Sequence, residues 1–542
     1  MRKLAALCAV LILALAFTIA NAQQNYVLYD LTAGSRFYQT AANSINKLGH
    51  ITGYGVVPRT NIIHAFIYKN GAFQDLGTLG YQAGIGIAIN NSDQLAADGE
   101  GYGTTALFYS NGTVTPIGNV DGGFSYCFGI NNNGDIVGTA VNGDGQLVAF
   151  AWIGGTFMDL SSYDYAYRAR SINDSDQVVG TSQYFWTYGG YVHVANHGYL
   201  YSNATGTFTD LGSLTGDPRT NTEAYGIDQA GDVVGYSAGS DGLLHGFLYT
   251  NGVMQDLGTL GSDYAIAVAI NNNGLIVGDL QNAYGAALGS FVYANGAMTD
   301  LSTLIARGGA GWTGLTVTGV NDNGWIVGTG TVNNGSQGFL AVPAGSPDPT
   351  KLLVPSAKGQ VGSAASVSAT LLDTTLNLPA AGASVQFSID GANVGAPVTT
   401  NALGQVKAKI VVPEGTTMGS HTLTAAFVGD AYFKAATGNG TLSVSKGAVK
   451  LAVHNLSGQA GTSVTLSATL TDASGTPLSG ASLAFSVGGT SAGSASTNGA
   501  GTATLPYAIP SGTTPGNYPI LVSFAGDASH LSGSKTGTLS VH

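Results

Sequence analysis

His245-Gly246-Phe247-Leu248-Tyr249-Thr250-Asn251-Gly252-Val253-Met254-Gln255-Asp256-Leu257-Gly258-Thr259-Leu260-Gly261 reads as a β-hairpin. Two short apolar runs flank an Asn-Gly pair, which favours the primed turn whose twist matches that of paired strands. The pattern recurs at His64-Ala65-Phe66, Asn70-Gly71 and Asp75-Leu76-Gly77-Thr78-Leu79-Gly80, and in shorter form at Ala149-Phe150, Asn295-Gly296 and Gly338-Phe339. Upstream of each hairpin stands an aliphatic residue followed by Asn or Asp. These anchors are Ile45-Asn46, Ile89-Asn90, Ile130-Asn131, Ile172-Asn173, Ile227-Asp228, Ile270-Asn271 and Val320-Asn321, spaced 44, 41, 42, 55, 43 and 50 residues apart. A Gly usually follows three residues later, then a short apolar strand such as Ile136-Val137-Gly138 or Ile326-Val327-Gly328.

Each unit therefore holds four short strands in about 45 residues, the size of one propeller blade. Apolar pairs such as Ile136-Val137 suggest strands covered on both faces. A lone four-stranded unit cannot cover both its faces, so the units must stack. The seventh unit ends near Val342 without an Asp-Leu strand, whereas Tyr26-Val27-Leu28-Tyr29-Asp30-Leu31 is an orphan strand at the other end. Pairing the two would close a seven-bladed β-propeller over residues 23–345 and remove an open edge. An open β-solenoid is the alternative, but it would not need that orphan.

This region resembles the bacterial extracellular HAF-repeat family, whose repeat contains His-Ala-Phe, Tyr-x-Asn-Gly, Asp-Leu-Gly-Thr-Leu-Gly and Gly-Ile-Asn. The match runs best through His64 to Gly80 and His245 to Gly261, with Gly129-Ile130-Asn131 for the last motif. Unit two departs from it, with Leu95-Ala96-Ala97 and Pro116-Ile117 in place of the Val-Gly and Asp-Leu endings. The resemblance implies secretion and a repeat architecture; the family has no established common activity.

Beyond Ser346-Pro347-Asp348-Pro349 a second, longer repeat of about 97 residues appears. Gly429-Asp430-Ala431 matches Gly526-Asp527-Ala528, and Leu442-Ser443-Val444 matches Leu539-Ser540-Val541. Alternation in Val367 to Leu371 and Val464 to Ala468 fits two Ig-like β-sandwich domains, at 346–446 and 447–542. They resemble bacterial Ig-like repeats, which commonly serve as stalks or display modules. The expected fold class is thus all-β: a seven-bladed propeller followed by two sandwiches.

Composition agrees with that class. Charged residues are 9% of the 542, and Gly numbers 81. Residues 23–345 hold 8 Lys+Arg against 23 Asp+Glu, and 346–542 hold 8 against 7. Neither part offers the basic patch that nucleic acid or anionic lipid requires. No later segment has the roughly 18 uncharged apolar residues of a membrane helix. Residues 1–22 read as a secretory signal peptide, with Arg2 and Lys3, an apolar run from Leu4 to Ile19, and the cleavage triplet Ala20-Asn21-Ala22. Removal of Cys8 with that segment leaves Cys127 alone, so neither an intrachain disulfide nor a cysteine zinc site is expected.

Candidate chemistry is sparse. Gly235-Tyr236-Ser237-Ala238-Gly239 and Gly489-Thr490-Ser491-Ala492-Gly493 match the nucleophile-elbow pattern but fall in strand and Gly/Ser-rich contexts. The recurring Asp30, Asp75, Asp159, Asp210, Asp256 and Asp300 suit turn caps better than a ring of metal ligands. Asn131-Asn132-Asn133-Gly134-Asp135 lacks the alternating carboxylates of a calcium loop. His64, His197 and His245 sit at equivalent places in different units, which suits packing rather than one metal. No catalytic residue, metal or cofactor is expected.

Turns within each unit fall on one face and are tight, while the second-to-third-strand and unit-to-unit connections share the other face and vary in length. The 55-residue unit inserts Tyr184, Trp186, Tyr188 and Tyr191 there, and the 50-residue unit inserts Arg307 to Trp312. Variable loops on a rigid scaffold commonly bind ligands. Tyr184, Trp186, Tyr188, Tyr191, Arg307 and Trp312 are therefore the expected ligand-binding residues. Neither Trp belongs to the repeated strand pattern, so sheet packing is expected to tolerate their loss. The alternative is that these aromatics merely pack their own loops. The expected function is a secreted, non-enzymatic, adhesion-type binding protein whose propeller recognises a glycan or cell-envelope protein. The rivals are a polysaccharide lyase or glycosidase, and a purely structural envelope component.

Overall fold

The computed structural model describes residues 24–33, 35–163 and 165–542. The signal segment read at 1–22 lies outside them. The described chain is all-β, and the single turn Leu301–Leu304 is the one α-helix among the described residues. No helix there is long and apolar enough to cross a membrane. The chain falls into two compact units, the first running to Pro347 and including Leu376–Leu378, the second comprising Asp348–Thr375 and Pro379–His542.

In the first unit the units of the repeat become antiparallel meanders. The first is Gln39–Ile45, Ile51–Val56, Ile63–Lys69 and Ala72–Gly77, paired in chain order. Five more follow the same order, and one backbone pairing, Leu244 with Tyr264, joins the fifth sheet to the sixth. The seventh has three strands of its own, Thr313–Val320, Ile326–Val332 and Gly335–Pro343. The orphan strand Tyr26–Asp30 completes it, pairing antiparallel from Tyr26↔Pro343 to Asp30↔Phe339. One addition was not legible: Ile305–Arg307 lies parallel to Tyr26–Asp30 as a fifth strand.

The first strand of every sheet carries a β-bulge, always three residues before the Asn or Asp anchor. The extra residues are Asn43, Ile87, Phe128, Arg170, Tyr225, Val268 and Thr318. The bulge explains the Gly three residues into the second strand, which continues past it to Val141, because a Cβ at Gly138 would collide with the Tyr126 carbonyl and the Phe150 ring. Apolar clusters span successive sheets. Val137 and Ala149 of the third pack with Ala169, Val178 and Tyr199 of the fourth. Val277 and Val292 of the sixth pack with Ile326 and Phe339 of the seventh, and with Tyr26 and Leu28.

The second unit holds two sandwiches of similar topology. In the later copy Val449–Val453, Ser463–Asp472 and Thr502–Ala508 form one sheet. The other contains Leu456–Gly458, Gly533–Val541, Gly516–Phe524, Ser482–Val487 and Thr490–Ser496. Leu466 and Leu470 of the first meet Leu483, Phe485, Val522 and Leu539 of the second in one core. In both copies a short strand, Ala357–Gln360 or Leu456–Gly458, runs parallel to the last strand.

Candidate functional site

The anchor asparagines do two jobs. Asn46 Oδ1 caps its own turn, accepting from the N–H groups of Leu48 and His50. Its Nδ2 donates to the carbonyl of Asn90 in the next sheet at 2.9 Å. The same bond runs from Asn90 to Asn131, Asn131 to Asn173, Asn173 to Asp228, and Asn271 to Asn321. Asn321 donates in turn to the Asn46 carbonyl at 3.0 Å. The aspartate at 228 lacks an amide and cannot donate onward. Around these turns lies a cavity of about 170 Å³ lined by residues of all seven sheets, so the first strands face a common space.

The recurring aspartates are turn caps. Asp30, Asp75, Asp159, Asp210, Asp256 and Asp300 each accept the N–H two residues on, at 2.7 or 2.8 Å. Sequence reasoning missed their second partner: the Nδ1 atoms of His64, His197 and His245 meet Asp75, Asp210 and Asp256. His64 and His245 each stand 11 residues before their aspartate, and that constant offset was the available signal. Two carboxylates flank His245, Asp256 on one side and Asp241 on the other, and they hold its pKa above the usual value against partial burial.

This pairing also disposes of the Ser237 motif. Ser237 lies opposite His245 across the strand pair, and His245 meets Asp256, as an acyl-transfer triad would require. The wiring differs. Ser237 is fully buried, and its hydroxyl oxygen accepts from the Leu214 N–H and the Thr222 hydroxyl. His245 Nε2 is occupied by Asp241. Cys127 is likewise buried, with its thiol on the Ala97 carbonyl at 3.4 Å. Burial pushes its pKa well up, which suppresses the nucleophilic thiolate.

The 55-residue unit spends its extra length on regular structure rather than on an open loop. Gln177–Tyr188 and Tyr191–Ser202 stay paired to their tips, joined by Gly189-Gly190 at φ of 61° and 82°. Alternation puts Tyr184, Trp186 and Tyr188 on one face with Tyr191, His193 and His197 from the partner strand. Their rings form a column. His197 stacks on Tyr184 with centroids 4.9 Å apart, Tyr184 on Trp186 at 6.1 Å, Trp186 on His193 at 5.4 Å, and Tyr188 follows at 6.3 Å. His197 anchors the foot, because Asp210 and the Pro218 carbonyl hold both its nitrogens. At the tip Tyr188 and Tyr191 are each 75% exposed. The opposite face shows Phe185, Val192 and Val194 to solvent, with Tyr165 edge-on to Phe185.

Arg307 and Trp312 do not join this column. Arg307 ends the added fifth strand of the seventh sheet, opposite Val27. Trp312 packs edge-on to the buried Phe339 ring at 6.1 Å, and a Cβ at Gly330 would come within 2.9 Å of it. The expectation that sheet packing tolerates loss of either Trp is therefore corrected for Trp312: it is part of the seventh sheet's core.

No family model matches the chain, and no curated protein matches it. Solved structures do. The Escherichia coli adhesin FdeC is 21% identical over 43% of this chain and 81% of its own, with a TM-score of 0.18. A 1.5-MDa bacterial ice-binding adhesin is 14% identical over 50% and 94%, with a TM-score of 0.16. Titin domains z1z2 are 18% identical over 36% and 98%, with a TM-score of 0.18. The chain is thus similar to Ig-domain proteins and to bacterial adhesins, at TM-scores that carry no inference about ligand or activity.

Proposed function

We propose that the chain is a secreted or surface-displayed, non-enzymatic binding protein of the adhesion type, whose ligand docks on the hairpin of the fourth sheet. The carrying observation is the hairpin itself. A two-stranded ribbon is marginally stable alone, yet this one shows an aromatic column on one face and Phe185, Val192 and Val194 on the other. Exposed apolar surface of this kind marks an interaction site. Aromatic rings combine a broad apolar face with a polar edge, which suits a sugar ring or a protein anchor. The scaffold in this proposal is a seven-bladed propeller of the HAF-repeat kind. Its support is the pairing of Tyr26–Asp30 with Gly335–Pro343 and the bond from Asn321 to Asn46. The sandwiches act as Ig-like spacers.

The test is capture by the mature full-length chain from a glycan array and from cell-envelope extracts, beside a turnover assay on polysaccharides. Saturable capture without turnover supports the reading. Turnover would favour the enzyme, and absence of both would favour a structural component.

A further inference from the structure

The bulged residues and those two places before them form two rows along the seven first strands. Five strands carry uncharged pairs: Ala41 and Asn43, Ile85 and Ile87, Tyr126 and Phe128, Ile266 and Val268, Thr316 and Thr318. The fourth carries Arg168 and Arg170, and the fifth Glu223 and Tyr225. Sheet stacking evidently does not need charge at these positions, since five of seven strands manage without it.

The charges are also unevenly matched. The Arg170 guanidinium lies 5.4 Å from the centre of the Phe128 ring and 4.3 Å from that of Tyr225. It reaches Glu223 only at 3.5 Å and the Tyr225 hydroxyl at 3.4 Å. A charge-assisted bond to a carboxylate is normally about 2.7–2.9 Å. Its Nε has no hydrogen-bond partner, although Arg170 is largely buried. Glu223 is held instead by Asn196 Nδ2 at 2.8 Å. Arg168 lies 5.3 Å from the centre of the Tyr167 ring and has no carboxylate partner among the described residues. Arg170 thus shares Glu223 with Asn196, and neither guanidinium has a carboxylate at close range among the described residues, in a region that is otherwise strongly acidic. Tyr167, Tyr225 and Tyr236 border the group. Burial first, and then the Glu223 charge, raise the pKa of Tyr167 to about 12 and hold Tyr236 up, so both phenols remain hydroxyl donors.

We propose that Arg168, Arg170, Glu223 and the adjoining tyrosines form a subsite for a hexuronate residue of an acidic saccharide. The two guanidiniums take its carboxylate, Glu223 accepts from its ring hydroxyls, and the phenols donate to its ring oxygens. A bare carboxylate would need only the arginines; the adjacent acceptor and donors suit a polyhydroxylated acid. This site is separate from the aromatic column and stands whether or not the hairpin binds anything.

The test titrates the mature full-length chain with oligogalacturonate, oligoglucuronate and alginate oligomers. A neutral galactan oligomer and an aspartate-rich peptide serve as comparisons. At least one uronate should bind, with the neutral oligomer ten-fold weaker or more. Arg168→Gln should lower uronate affinity by roughly 10- to 100-fold, the range of one charged hydrogen bond. Its melting curve should move little, because Arg168 has no carboxylate partner to lose among the described residues. Arg170→Gln should act in the same direction. The proposal is overturned if no uronate binds, if the neutral oligomer or the peptide binds as well as the uronates, or if Arg168→Gln binds them undiminished.

Discussion

In the later sandwich, Leu466 and Phe485 meet across its two sheets, and the core they belong to draws only on residues of that copy. In the first unit, Val137 meets Ala169 of the next sheet and Phe339 meets Leu28 from the other end of the region. That sandwich core is private to one copy, whereas the repeat's cores are shared by neighbours and stitched by side-chain amides such as Asn46 to Asn90. Damage to one sandwich should stay there, and damage to one sheet of the repeat should travel.

The harshest way to break that contrast is deletion of 23–32 from the mature full-length chain. It removes the strand paired with Gly335–Pro343 and uncovers Phe339. Two calorimetric transitions are expected in the parent chain. The deletion should abolish or strongly lower the first-unit transition and leave that of the sandwiches unmoved. An unshifted first-unit transition would remove the support for ring closure.

Trp312→Ala should cost roughly 2–4 kcal/mol in the first unit, near the usual loss for a truncated core aromatic but reduced by partial burial. Denaturant melts followed by tryptophan fluorescence would read it. Asn321→Ala is milder, about 1–3 kcal/mol, because it leaves the Asn46 carbonyl without its donor.

A smaller effect is pH-dependent. Burial raises the pKa of Asp98 to about 7 and of Asp279 to about 6, despite N–H bonds from Cys127 and Val317. An unfolded aspartate titrates near 3.9. The folded state thus binds more protons between about pH 4 and 7, so this contribution is complete below pH 4 and is lost as pH rises through the folded values. Asp98→Asn should flatten that part of the first-unit stability profile, and the sandwiches should show no change. A mutant profile parallel to the parent's would contradict the assignment.

The same contrast shows what the sequence could convey. Repeats carry their own alignment, so the four-strand unit, the Asn-x-x-Gly turns and the orphan strand Tyr26 to Leu31 were legible from spacing. The bulges were not, because a bulge leaves no residue signature beyond a small side chain near the anchor, such as Gly129 or Gly226. Arg170 went unremarked because only the fold sets it beside Glu223, 53 residues later, and Arg168 because its repeat position carried no signal. In the hairpin, the alternation of Tyr184, Trp186 and Tyr188 was itself a strand signal, and insertion length obscured it. Trp312 was misread because a residue outside the repeat pattern can still fill a gap, here the space above Gly330.

The functional account rests on the hairpin, and its most direct test is the affinity of Trp186→Ala for whatever ligand the parent chain captures. Trp186 sits mid-column between Tyr184 and His193. If it is an anchor, its loss should cost about 2 kcal/mol or more of binding, roughly thirty-fold in Kd. The melting temperature should barely move, since Trp186 belongs to none of the described core clusters. Unchanged affinity in a folded mutant would contradict the account.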